Sequence, residues 1–210
     1  MRIRSLCAAL AALSMVVGAS SAEAQGRIRG LVRVGGDFGG DPVIQFQYSD
    51  GSSPDVDAGR GLLAAGGARM RLLGSVQQGL DVEGTVGVKY RTIPPASNQN
   101  ATWIRFPVEG MLMYRTPFGL RAGGGVTMHY GNVLEASGAA LNSRLEFKST
   151  PGYVLQTAYG FGDKWALDMR YTAMKYEVSK GGSGTVGANS LGAGLSYAFG
   201  GSPRSALKAR

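Results

Sequence analysis

Chemistry in this chain would have to run through few side chains. His129 is the single histidine among 210 residues, and histidine is the usual general base near neutral pH. A lipid deacylase or acyltransferase would pair it with a serine and a carboxylate, yet His129-Tyr130-Gly131 has no serine two residues on. A polar residue at the rim of a strand is the plainer expectation. Asp41, Asp50, Asp55 and Asp57 fall in one stretch, but not at the spacing of a calcium loop, and a solvated loop is expected. Met111 and Met113 are expected to fill gaps rather than ligate metal. Gly124 and Gly125 open no helix, so they are not a phosphate cradle. One cysteine excludes a disulfide scaffold and a Cys-rich zinc site. No metal, no cofactor and no catalytic residue is expected.

The elements that would carry these residues repeat every two positions. Residues 1–24 have the features of a secretory leader: Arg2 and Arg4, an apolar run over 6–17 broken only by Ser14, then Ala22-Glu23-Ala24. That run is shorter than the roughly 20 residues a spanning helix needs, and no later stretch reaches that length. The mature chain is expected to start at Gln25. After it, apolar and polar residues alternate over 28–38, 61–73, 80–91, 104–115, 120–130, 152–161, 164–178 and 188–199. In the last, Leu191, Ala193, Leu195, Tyr197 and Phe199 share one row while Ser190, Gly192, Gly194 and Ser196 share the other. Tight links at 74–79, 117–119 and 162–163 alternate with long ones at 39–60, 92–101, 131–145 and 179–187. Val43 to Tyr48 also alternates before Asp50-Gly51, which predicts a short hairpin within the long link 39–60.

The row opposite the apolar one carries Arg29, Arg33, Asp37, Arg69, Arg71, Asp81, Glu83, Lys89, Arg91, Arg105, Glu109, Arg115, Arg121, Asp168 and Arg170. In a soluble sandwich or lipocalin those charges would face bulk water. In a membrane barrel the rows invert, with lipid on the apolar row and charges in the lumen. Two observations favour inversion. Phe38, Tyr90, Trp103, Tyr114, Tyr130, Tyr153, Phe161, Trp165 and Phe199 cluster at strand ends, where an aromatic girdle would lie. The chain also has 34 glycines, and small residues crowd the polar row, as a narrow interior requires.

These strands resemble the small bacterial outer-membrane β-barrel family, OmpA- and OmpX-like. The likeness is strongest at Ser190-x-Gly192-x-x-Leu195-x-Tyr197-x-Phe199, although 200–210 continues past the terminal aromatic. It implies an all-β fold, an eight-stranded antiparallel up-and-down transmembrane barrel over 25–199. It also implies residence in the outer membrane of a Gram-negative bacterium. Gly192, Leu195, Tyr197 and Phe199 would be the assembly signal read by the barrel assembly machinery. Outer-membrane lipid and lipopolysaccharide are the other expected partners, nucleic acid is not expected, and no extracellular ligand is identified. The basic stretch 200–210 would form a periplasmic tail.

Three functions remain open on sequence alone. Cations outnumber carboxylates two to one on the inward row, and partners such as Glu109 with Arg105 or Asp168 with Arg170 suggest a closed polar core, because unpaired buried charge costs several kcal/mol. A non-enzymatic barrel with a plugged lumen and interacting surface loops is therefore the first expectation. A narrow passive pore and an enzyme acting on lipid A are the alternatives.

Overall fold

The computed structural model describes residues 28–45, 55–75, 77–93, 100–137, 143–162 and 164–200. The leader expected over 1–24 and the tail beyond Gly200 lie outside the described residues. Thirteen strands occur among those described: β1 (Ile28–Phe38), β2 (Pro42–Gln45), β3 (Asp55–Asp57), β4 (Gly61–Gly74), β5 (Gly79–Ile93), β6 (Asn100–Arg115), β7 (Leu120–Ser137), β8 (Ser143–Ser149), β9 (Pro151–Phe161), β10 (Trp165–Ala173), β11 (Lys175–Lys180), β12 (Thr185–Gly187) and β13 (Ser190–Phe199). β8 with β9, β10 with β11 and β12 with β13 are successive halves of single staves, interrupted only at Thr150, at Met174 and at 188–189.

Counted as staves, the sheet has eight, each antiparallel to its chain neighbours, and it closes on itself. The closing seam joins the first and last of the described strands: β1 pairs with β13 from Gly30↔Phe199 to Phe38↔Leu191. The short links are tight turns. Ser75 Oγ accepts the amides of Gln77 and Gln78 at 3.2 and 3.1 Å, and Gly119 and Gly162 supply the positive φ that ends the others.

Which way the rows face decides the solvent. Val34, Leu155, Leu167 and Leu191 are each more than half exposed, whereas Arg33, Glu83 and Asp168 are 2%, 0% and 1% exposed. A soluble barrel would show the reverse, so the apolar band is built to meet hydrocarbon. Two aromatic belts bound it. Phe38, Tyr90, Tyr130, Tyr153 and Tyr171 lie near the long-loop ends of their strands, and Tyr114, Tyr159, Phe161, Trp165 and Phe199 near the short-turn ends, all exposed. By the usual asymmetry of such barrels the short turns are periplasmic and the long loops extracellular.

The staves run further outward than the alternation predicts. β7 reaches Ser137 rather than stopping near 130, and β8 occupies part of the expected 131–145 loop. Beyond the upper belt the polarity of the two rows exchanges. Glu135, Arg144, Lys148 and Glu177 now stand outward and exposed. Arg144 meets Glu135 at 2.8 Å and Glu146 at 3.2 Å, and Lys148 meets Glu177 at 2.9 Å. This crown projects into water above the membrane.

Candidate functional site

The lumen holds two layers of different chemistry. Between the two belts, the inward row supplies charged side chains from different strands that meet inside the lumen. Arg33 of β1 reaches Glu83 of β5 at 3.3 Å, Asp168 of β10 at 3.5 Å and Glu109 of β6 at 3.9 Å. Glu83 also accepts Arg69 at 2.7 Å and Arg121 at 3.1 Å, so three guanidiniums surround one carboxylate. Glu109 takes Arg170 besides, together with the hydroxyls of Thr85 and Thr127 at 3.4 and 3.3 Å. Asp81 pairs with Arg115, and Lys89 meets Asp37 at 2.6 Å. Gly192 makes room for that last pair, because a Cβ there would sit 1.9 Å from Asp37 Oδ1.

Every charged residue expected on the inward row is buried or half-buried. Arg33, Asp37, Arg69, Asp81, Glu83, Lys89, Arg105, Glu109, Arg121, Asp168 and Arg170 are buried, and Arg29, Arg71, Arg91 and Arg115 are half-buried nearer the mouths. The partners differ from those expected. Glu109 pairs with Arg170 and Arg33 rather than Arg105, and Asp168 with Arg33 rather than Arg170. For Glu109 and Arg105 the reason is spacing: residues four apart on one strand are separated by about 13 Å, while side chains of different strands converge inside the lumen.

Arg105 has another task. Its guanidinium donates to the backbone carbonyls of Ala58 and Arg60 and lies 4.6 Å over the Trp103 ring. It thereby ties the segment after β3 onto the barrel mouth. β2 and β3 pair antiparallel as the arms of the expected hairpin would, while its turn at Asp50-Gly51 lies outside the described residues, and the arms do not simply stand in solvent. Val56 and Ala58 are buried at 1% and 0% exposure in an apolar cluster with Trp103, Leu134, Phe147, Met174 and Tyr176. Asp41 fastens the hairpin's other side through the amide of Gly187 at 2.8 Å. Asp55 and Asp57 are half-buried rather than fully solvated.

This apolar cap occupies the extracellular end of the lumen. Trp103 stacks on Phe147 with centroids 5.2 Å apart and tilts against Tyr176 at 5.9 Å. Its indole N–H is satisfied by Asn132 Oδ1. Trp103 is therefore an interior residue, 0% exposed, and not part of the girdle in which its position near a strand end would place it. Parity gives the reason: it lies two residues from Arg105, on the same inward row. His129 also sits inside rather than at a rim. It is 3% exposed and its Nδ1 meets the Tyr176 hydroxyl. Met111 and Met113 pack with Val154 in a smaller interior cluster.

Sequence reasoning missed the cap, although a signal existed. The inward parity of Asp168, Arg170 and Thr172 continues through Met174 to Tyr176. On β7 the bulge at Gly131, with φ +57, shifts the parity so that Asn132, Leu134 and Ala136 face in. In the last strand Gly192 is buried, Leu195 and Tyr197 are half-buried and Phe199 is exposed. Tyr197 packs on Trp165 with centroids 4.7 Å apart.

Comparison with known proteins agrees with this geometry. The family described as "Outer membrane protein beta-barrel domain" matches residues 5–199. Among solved structures, the chain is similar to Ail, the attachment invasion locus protein of Yersinia pestis, in complex with the heparin analogue sucrose octasulfate. The TM-score is 0.51 at 13% identity, over 82% of this chain and 99% of that one. Neisserial surface protein A follows at TM-score 0.46 and 14% identity, over 82% and 97%, and OprG of Pseudomonas aeruginosa at 0.38 and 13%, over 82% and 97%. No curated protein matches the chain by sequence.

Proposed function

This chain belongs to the outer membrane protein β-barrel family and resides in the outer membrane of a Gram-negative bacterium, and from that premise we propose that it is a closed, non-catalytic barrel that carries an extracellular crown for interaction. The observation that carries the reading is the contact of Arg33 with carboxylates from three separate strands, all nearly sealed from solvent. Side chains that bridge strands two and three places apart occupy the space a solute would cross. The Trp103 cluster supports the same reading by packing bulky side chains across the extracellular end of the lumen.

The placement of His129 supports the non-catalytic part. A base acting on lipid must open toward the bilayer, and this one is turned inward against Tyr176. Planar-bilayer recording tests the closed lumen: the purified barrel is expected to give no reproducible single-channel steps, and such steps would overturn the reading in favour of a narrow pore. Lipid A composition tests the rest. Expression of the barrel and of His129→Ala should leave it identical; a change that depends on His129 would make the chain an enzyme.

A further inference from the structure

An open notch interrupts the outer wall where β1, β4 and β5 reach the extracellular belt. Gly36, Leu62 and Tyr90 stand side by side there on the lipid-facing row. Gly36 keeps the notch open, since a Cβ at that position would only touch Leu62 and Phe38, at 3.9 and 4.0 Å. The lower wall is thus apolar, contiguous with the band that meets hydrocarbon.

The upper wall is cationic. Arg60, two residues before Leu62, holds its guanidinium 5.8 Å from the Phe38 ring centroid, with a side chain 41% exposed and one loose carboxylate contact, Asp57 at 3.9 Å. Arg91 lines the same notch, and its Nε is buried with no hydrogen-bond partner. The charges that face Arg91 are the guanidiniums of Arg60 and Arg105 and the carboxylate of Asp57. Arg105 donates to backbone carbonyls, which satisfies its N–H groups without neutralising it. Asp37 also lines the notch, but Lys89 already holds its carboxylate at 2.6 Å, so Arg60, Arg91 and Arg105 are left to share Asp57 at the height where the outer leaflet's headgroups lie.

We propose that this notch binds a phosphorylated glycolipid of the outer leaflet, its phosphate held between Arg60 and Arg91 and one acyl chain lying over Gly36 against Phe38, Leu62 and Tyr90. Arginine suits the task because its planar fork donates two hydrogen bonds to one phosphate. An apolar floor continuous with the membrane suits an acyl chain and not a soluble anion.

The test measures lipid retained by the full-length barrel after reconstitution with phosphorylated lipid A, with phosphate-free lipid A, and with each in excess inorganic phosphate, read by native mass spectrometry. Heat-modifiable migration on a gel confirms that each variant is folded. Phosphorylated lipid A is expected to stay bound. Retention should fall about tenfold or more when the phosphate is absent, or in Arg60→Gln with Arg91→Gln, as loss of charge-assisted bonds implies. Gly36→Leu fills the notch without touching a charge and should lower retention equally, which keeps the proposal testable should the double variant fail to fold. Equal retention by the folded variants, or by phosphate-free lipid, would overturn it. Loss of the lipid to inorganic phosphate alone would also overturn it, by marking a free-anion site. Channel recordings have no bearing on this outcome, so the notch and the closed lumen stand or fall separately.

Discussion

Arg33 and Glu83 meet at 3.3 Å near the barrel axis, from β1 and β5, with 2% and 0% of their side chains exposed. Glu83 is at the same time the acceptor for Arg69 and Arg121, so three cations share one carboxylate in a space that water barely enters, and Arg33 alone of them also has an ion pair with Glu109 and Asp168.

Removing that carboxylate should therefore cost more than removing any one of its partners. Glu83→Ala takes the buried guanidiniums of Arg69 and Arg121 from their carboxylate and leaves Arg33 only Asp168 and Glu109, and about 3–5 kcal/mol of stability should be lost. Adding Arg69→Ala should recover part of it, because one uncompensated charge leaves with it. Urea-dependent unfolding in lipid vesicles measures both, and additive losses would show that the three arginines are not coupled through Glu83.

The two tryptophans face opposite environments, which offers a direct check on the inversion of rows. Trp103 is 0% and Trp165 44% exposed. In Trp103→Phe, the fluorescence of Trp165 should be quenched by nitroxide- or bromine-labelled acyl chains. In Trp165→Phe, the remaining Trp103 should be quenched by neither labelled lipid nor iodide.

Charge on the outer wall should be penalised according to depth. Leu167→Arg puts a guanidinium into the middle of the apolar band and should lower folding free energy by about 2–4 kcal/mol. Thr185→Arg, in the exposed crown, should change it by no more than ~0.5 kcal/mol. Equal effects would place Leu167 outside hydrocarbon.

Two classes of glycine should respond differently to alanine. A Cβ at Gly125 would lie 1.9 Å from the Gly110 carbonyl, whereas Gly84 has nothing within 4 Å. Gly125→Ala should push neighbouring staves apart and cost ~1–3 kcal/mol, visible as reduced folding yield into vesicles. Gly84→Ala should fold as the parent does.

The strands and their two faces were legible because the membrane imposes a uniform rule along each stave: apolar toward lipid, polar or small toward the lumen. The rule stops at the upper belt. Above it, water touches Glu135 and Lys148 on the outside while Trp103, Phe147 and Tyr176 fill the inside, so a search for apolar-outward alternation ends too early. Bulging adds a second difficulty. At Gly131 the backbone slips by one position, and Leu134 then faces in although Tyr130 faces out. Ion-pair partners were illegible for a different reason. Arg33 meets Asp168 through the tertiary closure of the sheet, and nothing in their separation along the chain announces it. Inward direction was readable; which inward residues touch was not.

The seam between β1 and β13 sets the order in which such a molecule can be completed. Arg29 and Ala198, hydrogen-bonded across it at 3.3 Å, are 169 positions apart. Until the final ten residues of β13 are in place, both margins of the sheet present bare amides and carbonyls that hydrocarbon cannot satisfy. A chain clipped just before them keeps seven sound staves and still has no tenable resting state in the bilayer, so one strand decides whether the whole cylinder survives.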